Sequence, residues 1–428
     1  MKNVLLAIFL LPGLAFASRT APQEAQGILL VTAPELAQAW QPFAAWKASI
    51  GKPTTIVTTQ TIASDFPGVD IQDKIRNCVR HHIDTQSVRW VILGGDSLPN
   101  GGGLVPDRDT VQHSMAGRET DIPTDIYYLS PTSWDADGDG IYGEFTDDRD
   151  AISYPDGSTG LGRIPVRTAQ DVAAYTAKVI AYETRSPTPA YSQTVTYTCT
   201  VPGAYPKVKR SWDDHVSQAL KGGTVHRYFA NTTPWDDQKP GDYDLTPKNW
   251  VDMINRSEGG KYHFHGHGLL HGWVLENRTM FTAKNVKQLT NKGNYPVITT
   301  VSCFTGHYDA AKDPSISESM LRQAEAGAIA IVAPCREGKP HFTNPREDFR
   351  LMVQEGKLDG TTLTMTRFWE WGIQHELTTG EALMRAKASM AKTARRSETF
   401  HMCLAELNLL GDPTLLVHHQ RPEKPATK

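Results

Sequence analysis

The chain alternates short apolar runs with longer stretches in which apolar residues recur every three or four positions. The runs at residues 27–31, 54–58 and 89–93 have the length and the apolar content of buried strands. The stretches at residues 33–47 and 69–82 have the helical period. This order of strand and helix predicts an α/β fold, in which a mostly parallel sheet carries helices on both faces.

A proline-rich segment, S-P-T-P at residues 186–189, separates this half of the chain from a second half with the same alternation. We therefore predict two packed α/β subdomains, residues 18–185 and 186–420, each a mostly parallel sheet flanked by helices, with a tail at residues 421–428. Further strands are predicted at residues 162–166, 193–199, 225–229, 262–267, 296–301 and 328–333, and further helices at residues 169–184, 212–220, 246–254, 318–325 and 380–395.

The first 17 residues have the pattern of an export signal. Lys2 precedes an apolar run at residues 4–11, and A-F-A at residues 15–17 has the small residues of a cleavage site. The apolar run is too short to span a membrane, and no other segment is longer and comparably apolar. We therefore expect a protein exported from the cytoplasm, either periplasmic or secreted.

Composition excludes one class of partner and leaves the redox state of the cysteines open. The net charge of -3 and the pI near 6.6 argue against nucleic acid, whose binding proteins present a basic face. Export would permit disulfides, but the odd number of cysteines leaves at least one free thiol. We expect Cys303 to be free and the other four to be buried thiols, which are Cys78, Cys199, Cys335 and Cys403.

Two predicted strands of the second half end at reactive residues. The strand at residues 262–267 ends in His267 before Gly268, and the strand at residues 296–301 is followed by Cys303. In open α/β sheets, ligands bind at the carboxyl ends of the strands. A cysteine beside a histidine can act as a nucleophile with its acid/base partner, because an imidazolium favours the thiolate.

The segments around these residues resemble the caspase-like cysteine peptidases and, among them, the gingipain family. The motifs FHGHG, VKQLTN, VSCFTG and AGAIAIVAP carry the resemblance, which extends over about residues 27–417. It implies two caspase-like α/β subdomains and a cysteine endopeptidase that acts on peptides or proteins. In that reading the Cys303 thiolate attacks the peptide carbonyl, His267 transfers protons, and the backbone N–H groups of Gly268 and Cys303 bind the oxyanion.

The resemblance leaves two features of the site open. Gingipains orient the histidine with an acidic residue, but the corresponding segment here, residues 199–206, has no carboxylate. Their pocket for the P1 side chain is acidic, and Asp213 or Asp214 is the nearest candidate here. His341 or Phe342 would form the pocket wall, and the preferred P1 residue is not determined.

The first half contains a candidate calcium loop, SWDADGDGIYGEFTDD. Carboxylates at alternate positions followed by a turn glycine are the ligand pattern of such loops. The twelfth position is Thr146 rather than the glutamate of an EF-hand, so another carboxylate must complete the shell, and a solvated acidic loop is the alternative. The predicted ligands of a structural Ca²⁺ are Asp135, Asp137, Asp139, Ile141, Glu144 and Asp147, with Asp148 as a substitute.

Two other functions are compatible with the sequence. His263, His265 and His267 alternate along one strand, so three imidazoles on one face could bind Zn²⁺ as in a metal hydrolase. His307, close to Cys303 in the chain, is interpreted as a wall residue of the site. The second alternative is a non-catalytic secreted surface module that keeps the peptidase fold.

Overall fold

The computed structural model describes residues 26–114, 117–200, 214, 223–229, 243–257, 259–338 and 360–417. Within these residues, apolar runs form strands and the amphipathic stretches between them form helices that cover the strands. The strands are β1 (Gly27–Thr32), β2 (Thr54–Thr58), β3 (Val88–Gly94), β4 (Ser97–Leu98), β5 (Gly102–Gly103), β6 (Arg108–Ser114), β7 (Gly117–Thr124), β8 (Gly160–Ile164), β9 (Thr194–Cys199), β10 (Thr224–Phe229), β11 (Tyr243–Asp244), β12 (Lys261–His265), β13 (Gly268–Leu269), β14 (Gly272–Val274), β15 (Met280–Thr282), β16 (Val297–Val301), β17 (Ala330–Pro334) and β18 (Leu407–Gly411).

The helices occur mainly between consecutive strands, as connections between parallel strands require. Short 3-10 helices lie at Pro34–Leu36, Asp125–Leu129 and Glu276–Arg278. The α-helices are α1 (Gln41–Ser49), α2 (Thr59–Asp65), α3 (Ile71–Gln86), α4 (Ala169–Thr184), α5 (Pro189–Gln193), α6 (Pro247–Arg256), α7 (Ala283–Val286), α8 (Ile316–Arg322), α9 (Gly360–Gln374), α10 (Thr379–Ala394) and α11 (Glu398–Glu406).

Eleven of the described strands form one sheet in the order β11-β10-β9-β12-β16-β17-β18-β8-β3-β1-β2. Neighbours in this sheet are parallel, apart from the antiparallel pair β17 and β18. The predicted α/β class with a mostly parallel sheet is therefore confirmed. The strands of the two predicted subdomains are continuous in this sheet, because the late strand β18 lies between β17 of the second half and β8 of the first.

The structure corrects the bounds of several predicted elements for local reasons. The predicted helix at residues 33–47 is two helices, and Pro42 lies in the first turn of the second, α1. In one continuous helix this proline would lack an amide hydrogen and would clash with the preceding turn. Helix α3 begins after Asp70, whose carboxylate accepts the Asp73 amide and caps the helix. Strand β12 ends at His265, so His267 lies beyond the strand and not within it.

Some predicted segments cannot be compared with the structure. The export signal, the tail and the helix at residues 212–220, except for Asp214, lie outside the described residues. In the part of the chain that the structure does describe, no helix has both the length and the apolar character that a membrane span requires.

Candidate active site

The register of two neighbouring parallel strands brings His267 and Cys303 to the same edge of the sheet. β12 pairs with β16, and His265 is opposite Val301. The Gly266 amide extends the ladder by donating to the Val301 carbonyl at 3.1 Å. His267 and Cys303 each lie two residues beyond the His265–Val301 pair, at the carboxyl ends of strands about 4.8 Å apart. His267 is exposed and Cys303 is partly buried.

Gly268 packs directly against the segment that carries Cys303, which we call the Cys303 loop (residues 302–309). A Cβ atom at this position would lie 2.1 Å from the Ser302 hydroxyl and 2.8 Å from the Cys303 carbonyl oxygen. Only glycine fits so close to another backbone. The absence of a side chain therefore allows the segment after His267 to contact the Cys303 loop.

The Cys303 loop is fixed to the end of β17 by backbone hydrogen bonds. The Phe304 amide donates to the Arg336 carbonyl at 2.6 Å, and the Gly306 amide donates to the Pro334 carbonyl at 2.8 Å. Phe304 has a φ of +60°, a left-handed conformation that is uncommon for a bulky residue. The residue after the cysteine thus has a strained backbone that its surroundings maintain.

The two histidines of β12, His263 and His265, do not join His267 in a metal site. His263 is buried, and its Nδ1 lies 2.7 Å from the Thr299 hydroxyl. Burial holds its pKa well below the usual value, with a smaller contribution from His265. Among the described residues, the group of metal-ligand atoms that converges contains no histidine. The geometry therefore gives no support to the zinc alternative.

His307 belongs to a charged cluster beside Cys303 that the sequence did not reveal. Its Nε2 lies 3.3 Å from a carboxylate oxygen of Asp309. The Arg336 guanidinium donates to both oxygens of the same carboxylate, at 2.9 and 2.6 Å. Burial and the Arg336 charge lower the pKa of His307, which favours its neutral imidazole. Charged residues that follow two apolar strands, Asp309 and Arg336, could have indicated this cluster. They are 27 residues apart in the chain, so the sequence did not pair them.

Of the predicted pocket residues, the structure describes Asp214 alone. Asp214 is helical and exposed, whereas Asp213, His341 and Phe342 lie outside the described residues. Within the described part of the chain, no side chain forms a hydrogen bond with the His267 imidazole. The residue that orients His267 therefore stays unassigned.

The acidic loop of the first half places three carboxylates around one point. Oxygen atoms of Asp135, Asp137 and Asp148 lie within 4.8 Å of one another. Asp148 is buried, its two oxygens accept the amides of Ala136 and Glu144, and burial raises its pKa. Three carboxylates on a tight loop are the hard oxygen donors that Ca²⁺ prefers, so the residues present fit that ion.

The remaining carboxylates among the predicted ligands are not part of this group. The Asp139 carboxylate accepts the Ile141 amide at 2.8 Å, and Glu144 is paired with Arg118. Asp147 is exposed, and the structure places Asp148 beside Asp135 and Asp137 in its stead. The chain reverses sharply here, with φ values of +78° at Gly138 and +82° at Gly140, which glycine adopts without strain.

Comparison with known proteins gives one family and several solved structures. The model of peptidase family C25 matches residues 21–418. The crystal structure of the Arg-specific cysteine proteinase gingipain R has a TM-score of 0.64 and 19% identity, over 92% of this chain and 78% of that chain. The complex of the pro- and mature domains of RgpB from Porphyromonas gingivalis has a TM-score of 0.60 and 18% identity, over 91% and 79%. No curated protein matches the sequence significantly.

Proposed function

This chain belongs to peptidase family C25 and is a cysteine-type peptidase, and from that premise we propose that it is an exported endopeptidase in which Cys303 is the nucleophile and His267 the acid/base. The observation that carries the proposal is the register of β12 and β16. His267 and Cys303 each lie two residues beyond the His265–Val301 pair, at one edge of the sheet. The contact of Gly268 with the Cys303 loop supports it.

The reaction begins when the Cys303 thiolate attacks the carbonyl carbon of the peptide bond, which forms a C–S bond and moves an electron pair onto the oxygen. The backbone N–H groups of Gly268 and Cys303 would bind this oxyanion. The His267 imidazolium gives its proton to the amide nitrogen, the C–N bond breaks, and the amine leaves. His267 then takes a proton from water, whose oxygen attacks the thioester and releases the acid and the thiolate.

A structural Ca²⁺ is the second part of the proposal. Asp135, Asp137 and Asp148 would hold it, and the Ile141 carbonyl or water would complete the shell. When bound, the ion neutralises carboxylates that otherwise repel one another. It would stabilise the loop at residues 131–150 and would take no part in peptide cleavage.

Cleavage of a peptide library varied at P1, with Ca²⁺ and reductant present, tests the catalytic pair. We expect the parent protein to cleave and Cys303→Ala to be inactive. His267→Ala should lose roughly a hundredfold or more, the usual contribution of a general acid/base. The matched control is His271→Ala, because His271 is also exposed and lies in the turn between β13 and β14.

The controls decide between mechanisms. Equal cleavage by the parent and Cys303→Ala would refute the thiol mechanism. Equal losses in His267→Ala and His271→Ala would refute the assignment of the acid/base. If the pair is correct, the P1 residue that the parent prefers identifies the chemistry of its pocket.

A further inference from the structure

Tyr308 connects the Cys303 loop to the interior of the first half of the chain. It lies five residues after Cys303, and its side chain is fully buried. Its hydroxyl donates to a carboxylate oxygen of Asp125 at 3.2 Å. The Arg163 guanidinium lies 4.7 Å from the centre of its ring, within the range of a cation–π contact. The partners of Tyr308 thus come from residues far away in the sequence.

Asp125 and Arg163 form a rigid partner for this tyrosine. Two nitrogens of Arg163 donate to the Asp125 carboxylate, at 2.9 and 2.7 Å. The guanidinium also donates to the carbonyls of Gly95, at 3.0 Å, and Val105, at 2.6 Å. Both charged side chains are almost completely buried. An ion pair held in this way by further hydrogen bonds has little freedom to shift.

The same loop has a second anchor at the next residue. Asp309 follows Tyr308 and forms the two-pronged ion pair with Arg336. The backbone carbonyl of Arg336 accepts the amide of Phe304, the residue after the cysteine. Phe304, whose backbone is strained, lies between Cys303 and these two anchors in the chain. A strained segment keeps its conformation only where its surroundings specify it.

We propose that Tyr308, Asp125 and Arg163 are positioning residues for Cys303. They hold the Cys303 loop in the position where the thiolate faces His267 and the scissile carbonyl. This inference rests on the proposed function of Cys303. The first half of the chain then contributes to catalysis through Asp125 and Arg163, and Tyr308 transmits their position to the nucleophile. Covalent attack is sensitive to displacements of about 1 Å, so a loop that loses one anchor loses rate.

Tyr308→Phe tests the proposal because it removes one hydroxyl and leaves the ring and the Asp125–Arg163 pair in place. The matched control is Tyr182→Phe. Tyr182 is a buried tyrosine near the end of α4, and its hydroxyl donates to the Leu416 carbonyl at 2.9 Å. Just after α4, the Arg185 guanidinium donates to the carbonyl of Gly293, which precedes β16, so the end of α4 lies at the opposite end of that strand from Cys303.

Three quantities are measured for the parent and both variants: kcat and KM on the best library peptide, the melting temperature, and the rate of Cys303 alkylation by iodoacetamide between pH 5 and 9. We expect kcat of Tyr308→Phe to fall roughly tenfold or more with KM within about twofold of the parent value. Its alkylation profile should move to higher pH, because a displaced thiolate is less stabilised by the imidazolium. The melting temperature of Tyr182→Phe should fall by about as much as that of Tyr308→Phe, but its kcat and alkylation profile should equal those of the parent.

A purely structural role would give the same kcat and the same alkylation profile in both variants, and that result would overturn the proposal. The alkylation arm does not depend on turnover. If the parent cleaved no peptide, the proposed function would fail by itself. An alkylation profile of Tyr308→Phe identical to that of the parent would still contradict the positioning role, and a shifted profile would still support it.

Discussion

At the scale of single residues, His401 shows how burial makes stability depend on pH. It lies in α11, and its Nδ1 is 2.9 Å from the Tyr154 hydroxyl. The rings of Trp134, Phe145 and Tyr154 surround it. Burial lowers the pKa of His401 to about 4, from the value near 6.5 that it has in an unfolded chain. The folded protein therefore holds this imidazole in its neutral form at pH 5.

This depressed pKa predicts a loss of stability in mild acid. As the pH falls below about 6.5 the unfolded chain binds a proton at His401, while the folded chain does so only near pH 4. The contribution of His401 to the unfolding free energy is complete above about pH 6.5 and is lost as the pH falls from there to about 4. At pH 5 the loss is about 2 kcal/mol of unfolding free energy, at 1.36 kcal/mol per pH unit.

Urea unfolding at pH 7 and pH 5, at one fixed Ca²⁺ concentration, checks this expectation. The difference between the two pH values should be about 2 kcal/mol smaller in His401→Gln than in the parent. His271→Gln, which changes an exposed histidine, should behave like the parent. A variant at His401 with the full pH dependence of the parent would contradict the assignment.

At the scale of a single element, the acidic loop at residues 131–150 should depend on Ca²⁺ for its stability. A ligand that binds only the folded state stabilises it by about 2.7 kcal/mol at a hundredfold excess over its Kd. We expect Ca²⁺ to raise the melting temperature of the parent and a chelator to reverse the effect. Asp137→Asn should reduce this rise, because Asp137 belongs to the converging carboxylates and is otherwise exposed.

Asp150→Asn is the matched control for this loop. Asp150 lies in the same segment, its side chain is fully exposed, and it is outside the converging group. Its variant should keep the whole Ca²⁺ effect on the melting temperature. Equal reductions in Asp137→Asn and Asp150→Asn would show that Ca²⁺ acts only by general screening of negative charge.

At the scale of the whole molecule, buried contacts join the first and last parts of the described chain. Lys47 of α1 forms an ion pair with Asp412, just after β18, at 2.7 Å, and both side chains are completely buried. Lys47 also contacts Glu183 at 2.7 Å. The Trp90 indole donates to the Thr378 hydroxyl at 3.1 Å. Together with the continuous sheet, these contacts should make unfolding a single cooperative event.

Lys47→Met tests this cooperativity because it leaves the Asp412 carboxylate buried without its cation. We expect the unfolding free energy to fall by about 3–5 kcal/mol, the usual result of breaking a buried ion pair on one side. Calorimetry should still show one transition. Removal of the second charge, in Lys47→Met with Asp412→Asn, should restore part of the loss. Two separate transitions in either variant would indicate that the halves unfold independently.

Local sequence patterns predicted the α/β class, most strand positions and the residues proposed for the chemistry. These features are local, because apolar runs and helical periods follow from the residues within one element. Helix α4 has the predicted bounds of residues 169–184, and α6 begins after Thr246, whose hydroxyl accepts the Asn249 amide. The strand ends near His267 and Cys303 could be predicted because each is marked by small residues that follow an apolar run.

The folded structure determines which distant residues meet. It placed β18 between the two halves, chose Asp148 in preference to Asp147 for the acidic loop, and brought Arg163 and Asp125 to Tyr308. An arginine in a buried strand indicates that it has a partner, but the sequence does not identify that partner. The physical reason is that strand order and buried ion pairs depend on contacts between residues far apart in the chain. A local sequence pattern does not specify such contacts.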